Sequence, residues 1–125
     1  MMNQSQPKYL NLFEIRLPVP ALVSILHRIS GLALFLFLPF LLWLLQTSLS
    51  SPDSFAHYRA VLANPVAKLT LIALLWAFLH HLLAGLRFLA LDLHYGTDLA
   101  AARMSARLVL IGALALTLVL GLWLW

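Results

Sequence analysis

Residues 24–31 read SILHRISG: Ser24, His27 and Arg28 stand where the chain passes into Ile29 to Leu45, a run with no formal charge. Ser24, His27, Arg28 and Gly31 recur at intervals of three, four and seven, so on a helix they share one face. A second group lies further on: His80, His81, Gly85, Arg87 and Asp92. Gly85 is four residues after His81. Asp92 is eleven after it, close to three full turns, so His81, Gly85 and Asp92 also share a face. Ionisable side chains embedded in apolar sequence are costly to insert and usually serve a function.

An imidazole in such a setting can bind iron. A glycine one turn away would let a flat macrocycle lie against the helix. Nearby basic residues could neutralise the carboxylates of a porphyrin. His80 and His81 project about 100° apart on a helix, so they cannot both be axial ligands of one iron. The last apolar segment contains no histidine, and His27 is expected at the mouth. A haem held here would therefore take its second ligand from a partner chain. Plainer roles are available for the same residues. An intramembrane histidine can make an interhelical hydrogen bond, Gly85 can permit close packing, Arg28 and Arg87 can snorkel to headgroups, and Ser24 can cap a helix. His57 and His94 fall in connectors, where solvation suffices.

The elements that must position these groups follow from composition. Of 125 residues, 63% are hydrophobic and 10% charged, with mean hydropathy +0.97. A soluble domain carries about 25% charged residues. The class expected is an all-α integral membrane protein with one domain over residues 1–125. With no Cys, disulfides, thiolate zinc sites, cysteine-ligated iron–sulfur clusters and covalent haem attachment are excluded. The net charge of +4 comes from singly scattered residues, a pattern that speaks for loop orientation and headgroups and against nucleic acid.

A spanning helix needs roughly 20 mainly apolar residues. Three stretches qualify: about 23–46, 66–91 and 108–125. Residues 1–22 form an interfacial segment. Lys8, Glu14, Arg16 and three prolines there do not read as a cleaved signal peptide. Turn chemistry sits between the spans, in TSLSSPDS, in ANP at 63–65, and in LDLHYGTD with Gly96. Pro39 lies within the first span, where bilayer helices tolerate it. Lys8, Arg16, Arg28, Arg87, Arg103 and Arg107 fall on one side of the membrane and Arg59 and Lys68 on the other. The N-terminus is therefore expected in the cytoplasm and the C-terminus outside, with Trp123 and Trp125 in the outer aromatic belt. In this arrangement His81 lies roughly 9 Å from Arg87 along its helix, deeper than the mouth where Ser24, His27 and Arg28 sit.

Taken together, SILHRISG and the pattern H-x3-G-x-R-x4-D at His81, Gly85, Arg87 and Asp92 resemble the cytochrome b membrane anchor of bacterial succinate dehydrogenase, respiratory complex II. NLFEIRLPVPA at 11–21 and LLWLLQTSLSSPDSF at 41–55 resemble its proteobacterial branch. The resemblance extends over nearly the whole chain and includes three spans, part of a helical bundle completed by a second anchor subunit. It implies that His81 is an axial ligand of haem b, with the opposite histidine supplied by that second subunit. It implies that Ser24 and Arg28 line a ubiquinone pocket near the cytoplasmic face, that His27 and Arg28 lie near the haem propionates, and that Asp92 is at a helix end. The implied partners are a flavoprotein subunit, an iron–sulfur subunit, the second anchor and the lipid bilayer of the bacterial inner membrane. The chain would be a subunit without flavin, not catalytic alone.

Two positions depart from the family pattern. Phe88 stands where a histidine that can touch a propionate is common. His80 stands where an aromatic residue is common; the four-residue spacing to Gly85 favours His81 as the ligand. Two rival readings are the anchor of a fumarate reductase, running the same chemistry backwards, and a small membrane transporter or assembly protein. A transporter would place ionisable groups at mid-membrane and show internal repeats. Here the polar groups crowd one face and no repeat is evident.

Overall fold

The computed structural model describes residues 16–125, four helices in the order α1 (Val19–Ser50), α2 (Pro52–Ala63), α3 (Pro65–Asp92) and α4 (Leu99–Leu124). Lys8, Glu14 and residues 11–15 of the early resemblance lie outside the described residues. α1, α3 and α4 are each long and apolar enough to cross a membrane. α3 packs on both α1 and α4, α1 also meets α4, and α2 lies against α1 and α3.

Local sequence sets the helix ends. Pro18 is extended at the N-cap of α1 and Pro20 lies in its first turn, where the missing N–H costs nothing. Ser24 is thus inside the helix and caps nothing. α1 runs unbroken through Pro39 and continues past the expected limit at Gln46. The hydroxyls of Thr47, Ser48 and Ser50 donate to the carbonyls of Trp43, Leu45 and Gln46, so the polar end of the helix satisfies itself.

The SSPDS stretch is not a turn. Ser51 is extended and its hydroxyl accepts from the Ser54 N–H at 3.1 Å. Pro52 and Asp53 then open α2 as its first two residues. A proline followed by an acid suits a turn and a first helical turn equally, and here the serine cap decides.

Asn64 caps α3 through its side-chain oxygen, which accepts from Val66 and Ala67. Past Asp92 the chain closes in a Schellman motif. The Tyr95 N–H donates to the Ala90 carbonyl and the His94 N–H to the Leu91 carbonyl, both at 2.9 Å. His94 itself takes the left-handed position, φ 64°. Asp98 caps α4 by accepting from the Ala101 N–H at 3.1 Å. α4 therefore starts nine residues before Leu108, where the apolar run begins.

The interior is small and narrow. Val23, Ala84, Ala106 and Val109 form its core, and Ala113 is fully buried as well. Small residues let helix backbones approach closely where no hydrophobic effect operates between helices. Large apolar side chains point outward instead, among them Ile29, Leu32, Phe35 and Leu36 on α1, as a lipid-facing surface requires.

Candidate functional site: an imidazole pair between two helices

The two polar motifs meet where the first turns of α1 cross the last turns of α3. His27 and His81 stack with ring centroids 4.1 Å apart and planes 9° from parallel. His27 and His81 are thus in direct contact, because α1 crosses α3 with His27 facing His81.

His81 is held by its Nδ1, which lies 3.0 Å from the His27 carbonyl oxygen. A carbonyl can only accept, so Nδ1 is the donor in this contact, and in the neutral imidazole Nε2 then keeps its lone pair. Ser30, 1% exposed, donates its hydroxyl to the same carbonyl at 2.9 Å. Its oxygen is 3.3 Å from His81 Nδ1. Among the described residues no hydrogen bond engages Nε2 of His81.

Gly31 makes room for the ring. A Cβ built there would fall 2.8 Å from Cε1 and 3.2 Å from Nδ1 of His81. At Gly85 the neighbour is His27, whose Nε2 would sit 3.6 Å from a Cβ, an ordinary contact. The space over Gly85 thus faces His27 rather than standing empty for a macrocycle. Phe88 meets the His27 ring edge-on at 5.2 Å, so the residue that departs from the family pattern braces the imidazole pair.

His80 is placed differently. It is fully buried, stacks on Trp76 at 5.2 Å, and among the described residues neither ring nitrogen has a hydrogen-bond partner. The Val23 backbone runs alongside it. Enclosed in this way, His80 offers a bulky macrocycle no approach. His81 is only partly buried.

Arg87 does not snorkel. It is 8% exposed, and its Nε donates to Ser105 Oγ at 2.9 Å and its Nη2 to the Ala102 carbonyl at 3.1 Å. The guanidinium lies over the Phe88 ring, 5.5 Å from its centroid. Arg87 therefore ties α3 to α4. Arg28 is exposed and Ser24 half-buried on α1, and Asp92 is exposed at the last residue of α3.

Among the described residues, no group of three or more His, Asp or Glu could enclose a bare metal ion. What the site can offer is one imidazole with a fixed tautomer and a free nitrogen. That suits an axial ligand whose equatorial positions a porphyrin fills. His27 and His81 stand out in the sequence, whereas the part of Ser30 and Gly31 in holding His81 emerges only from the packing. Their offsets of three and four from His27 were the available signal.

The helices and the site define a class, an all-α multi-pass membrane subunit with an imidazole pair at one end of its bundle. Comparison narrows it. Residues 2–120 match the family described as succinate dehydrogenase/fumarate reductase transmembrane subunit. The chain is 38% identical to the succinate dehydrogenase cytochrome b556 subunit of Coxiella burnetii, over 99% of this chain and the whole of that one. It is 36% identical to the protein of the same name from Paracoccus denitrificans, over 81% of this chain and 78% of that one. For the Rickettsia felis protein the identity is 32%, over 84% and 82%. The chain belongs to the succinate dehydrogenase cytochrome b membrane-anchor family, and the transporter reading falls away.

Proposed function

We propose that this chain is the anchor of a succinate:quinone oxidoreductase that supplies one axial ligand to haem b and part of a ubiquinone pocket. The observation that carries the reading is the His81 imidazole, with Nδ1–H committed to the His27 carbonyl and Nε2 free. Bound haem b would supply reversible storage of one electron. His81 would hold the iron through Nε2, and the second anchor subunit would supply the other histidine, since His27 is stacked against His81.

His27 and Arg28 stand at the propionate edge. Arg28, exposed on α1, favours negative charge developing on a quinone oxygen, and the Ser24 hydroxyl donates to a quinone carbonyl. Protons reach the quinone from water at the cytoplasmic face. With no Cys, this chain offers no thiolate ligand to an iron–sulfur cluster. Succinate is oxidised to fumarate in the flavoprotein subunit, and electrons cross the iron–sulfur subunit to the quinone. The N-terminus faces the cytoplasm and the C-terminus the periplasm of the bacterial inner membrane. The family covers both directions of the reaction; the names of the relatives favour succinate oxidation.

The test is the tagged chain gently extracted from its own membranes. Expected are copurifying flavoprotein and iron–sulfur subunits and succinate:ubiquinone reductase activity, which falls by about 10-fold or more in Ser24→Ala and Arg28→Leu with the complex intact. Unchanged rates in both variants would rule out the pocket.

A further inference from the structure

We propose that α1 sets both the tautomer and the ring plane of the haem ligand on α3, with Gly31 and Ser30 as positioning residues for His81. The proposal rests on the reading of His81 as the ligand. Three successive features of one α1 face converge on the ring: the carbonyl of His27, the hydroxyl of Ser30 and the missing Cβ of Gly31. Spacings of three and four put them together.

The carbonyl fixes the tautomer. It accepts from Nδ1–H at 3.0 Å, which in the neutral ring selects the tautomer with Nε2 as the lone-pair nitrogen. A hydrogen bond of this kind also raises the basicity of the ligating nitrogen. The Ser30 hydroxyl braces the arrangement. It donates to that carbonyl at 2.9 Å and sets its oxygen 3.3 Å from Nδ1, in a position where water is excluded.

Gly31 fixes the plane. Any side chain there would begin 2.8 Å from Cε1, closer than atoms approach. The ring cannot yield without consequence. Its face is stacked on His27 at 4.1 Å and its Nδ1 is bonded to the carbonyl. Turning away from a Cβ at position 31 would break both contacts and rotate the imidazole plane about the bond that iron would occupy. Gly112 is a useful contrast: a Cβ there would meet only the flexible end of Leu83, at 3.4 Å.

The test uses the complex isolated with its partner subunits and four variants: His81→Ala, Gly31→Ala, Ser30→Ala and Gly112→Ala. The readouts are electron paramagnetic resonance of the oxidised haem, which reports the relative planes of the axial imidazoles, and the haem midpoint potential. Gly31→Ala is expected to shift the largest g-value or convert the haem to high spin. Ser30→Ala is expected to shift the g-value and potential by less, and Gly112→Ala to change neither. If Gly31→Ala fails to assemble, Ser30→Ala decides alone. Loss of haem in His81→Ala with unchanged spectra and potentials in Gly31→Ala and Ser30→Ala would overturn the positioning role and leave the ligand reading standing. Haem retained unchanged in His81→Ala would overturn both.

Discussion

The two ends of the bundle use the same helices in opposite ways. At the end formed by the start of α1 and the close of α3, polar groups are packed together and several are tied across helices, the buried His80 nitrogens standing apart without a partner among the described residues. His27 and His81 stack, Ser30 is buried on a carbonyl, and Arg87 is locked to α4. At the other end, where α2 and the last residues of α4 approach, the helices part. A cavity of about 560 Å³ opens between Leu44, Leu74, Phe78, Tyr58 and Trp125. Lys68 lies there against the Trp125 ring, 5.3 Å from its centroid. In lipid, apolar side chains gain little by choosing one another over solvent, so directional polar contacts decide where the helices are held firmly. The end that carries the proposed site is also the end where polar contacts between the long helices gather.

Substitutions should separate the two ends. The largest effect expected is on turnover: Arg28→Leu lowers quinone reductase activity by about 10-fold or more without changing the yield of complex, read by steady-state kinetics beside a haem assay. Next is Arg87→Ala, which removes two charge-assisted hydrogen bonds and leaves a void, a destabilisation of about 2–4 kcal/mol. Thermal denaturation of the detergent-solubilised complex measures it, and Arg87→Lys should recover less than half, since an ammonium cannot reach both acceptors from one plane. A clamp that is purely structural leaves the haem potential unaltered, and a shifted potential would tie Arg87 to the haem instead.

His80→Leu acts on an imidazole that has no partner for either nitrogen. Replacing such a group with an apolar one is expected to be neutral or stabilising by about 1 kcal/mol, with haem content unchanged; a loss of several degrees in melting temperature would show that His80 has a partner in the assembled complex. The smallest effect is at the far end. Trp125→Leu removes the contact with Lys68 and costs less than about 1 kcal/mol, with turnover and spectrum as in the parent.

How far the sequence reveals this division depends on the range of the contacts. The three long apolar helices and the restart at Asn64-Pro65 are local signals, and each appears in place. α2 was concealed because Pro52-Asp53 fits a turn as well as a first helical turn, and only the Ser51 cap distinguishes them. The start of α4 was concealed for the opposite reason: residues 99–107 are helical but carry Arg103 and Arg107, so apolar length underestimates the helix. The type of each site residue was legible, and so was the gathering of both motifs at one membrane face, while the direct contact of His27 with His81 was not. Stacking of His27 on His81 depends on how α1 and α3 cross and rotate, which no periodicity within one helix encodes. The same holds for Arg87, whose partners Ser105 and Ala102 lie on a helix that hydropathy alone starts later.

The most direct measurement is a reduced-minus-oxidised optical spectrum of the assembled complex carrying His81→Ala, beside one carrying His80→Leu. Loss of the low-spin b-haem bands in the first, with the subunits still copurifying, and retention in the second is the expected result. Bands retained in His81→Ala, or lost in His80→Leu alone, would contradict His81 as the ligand.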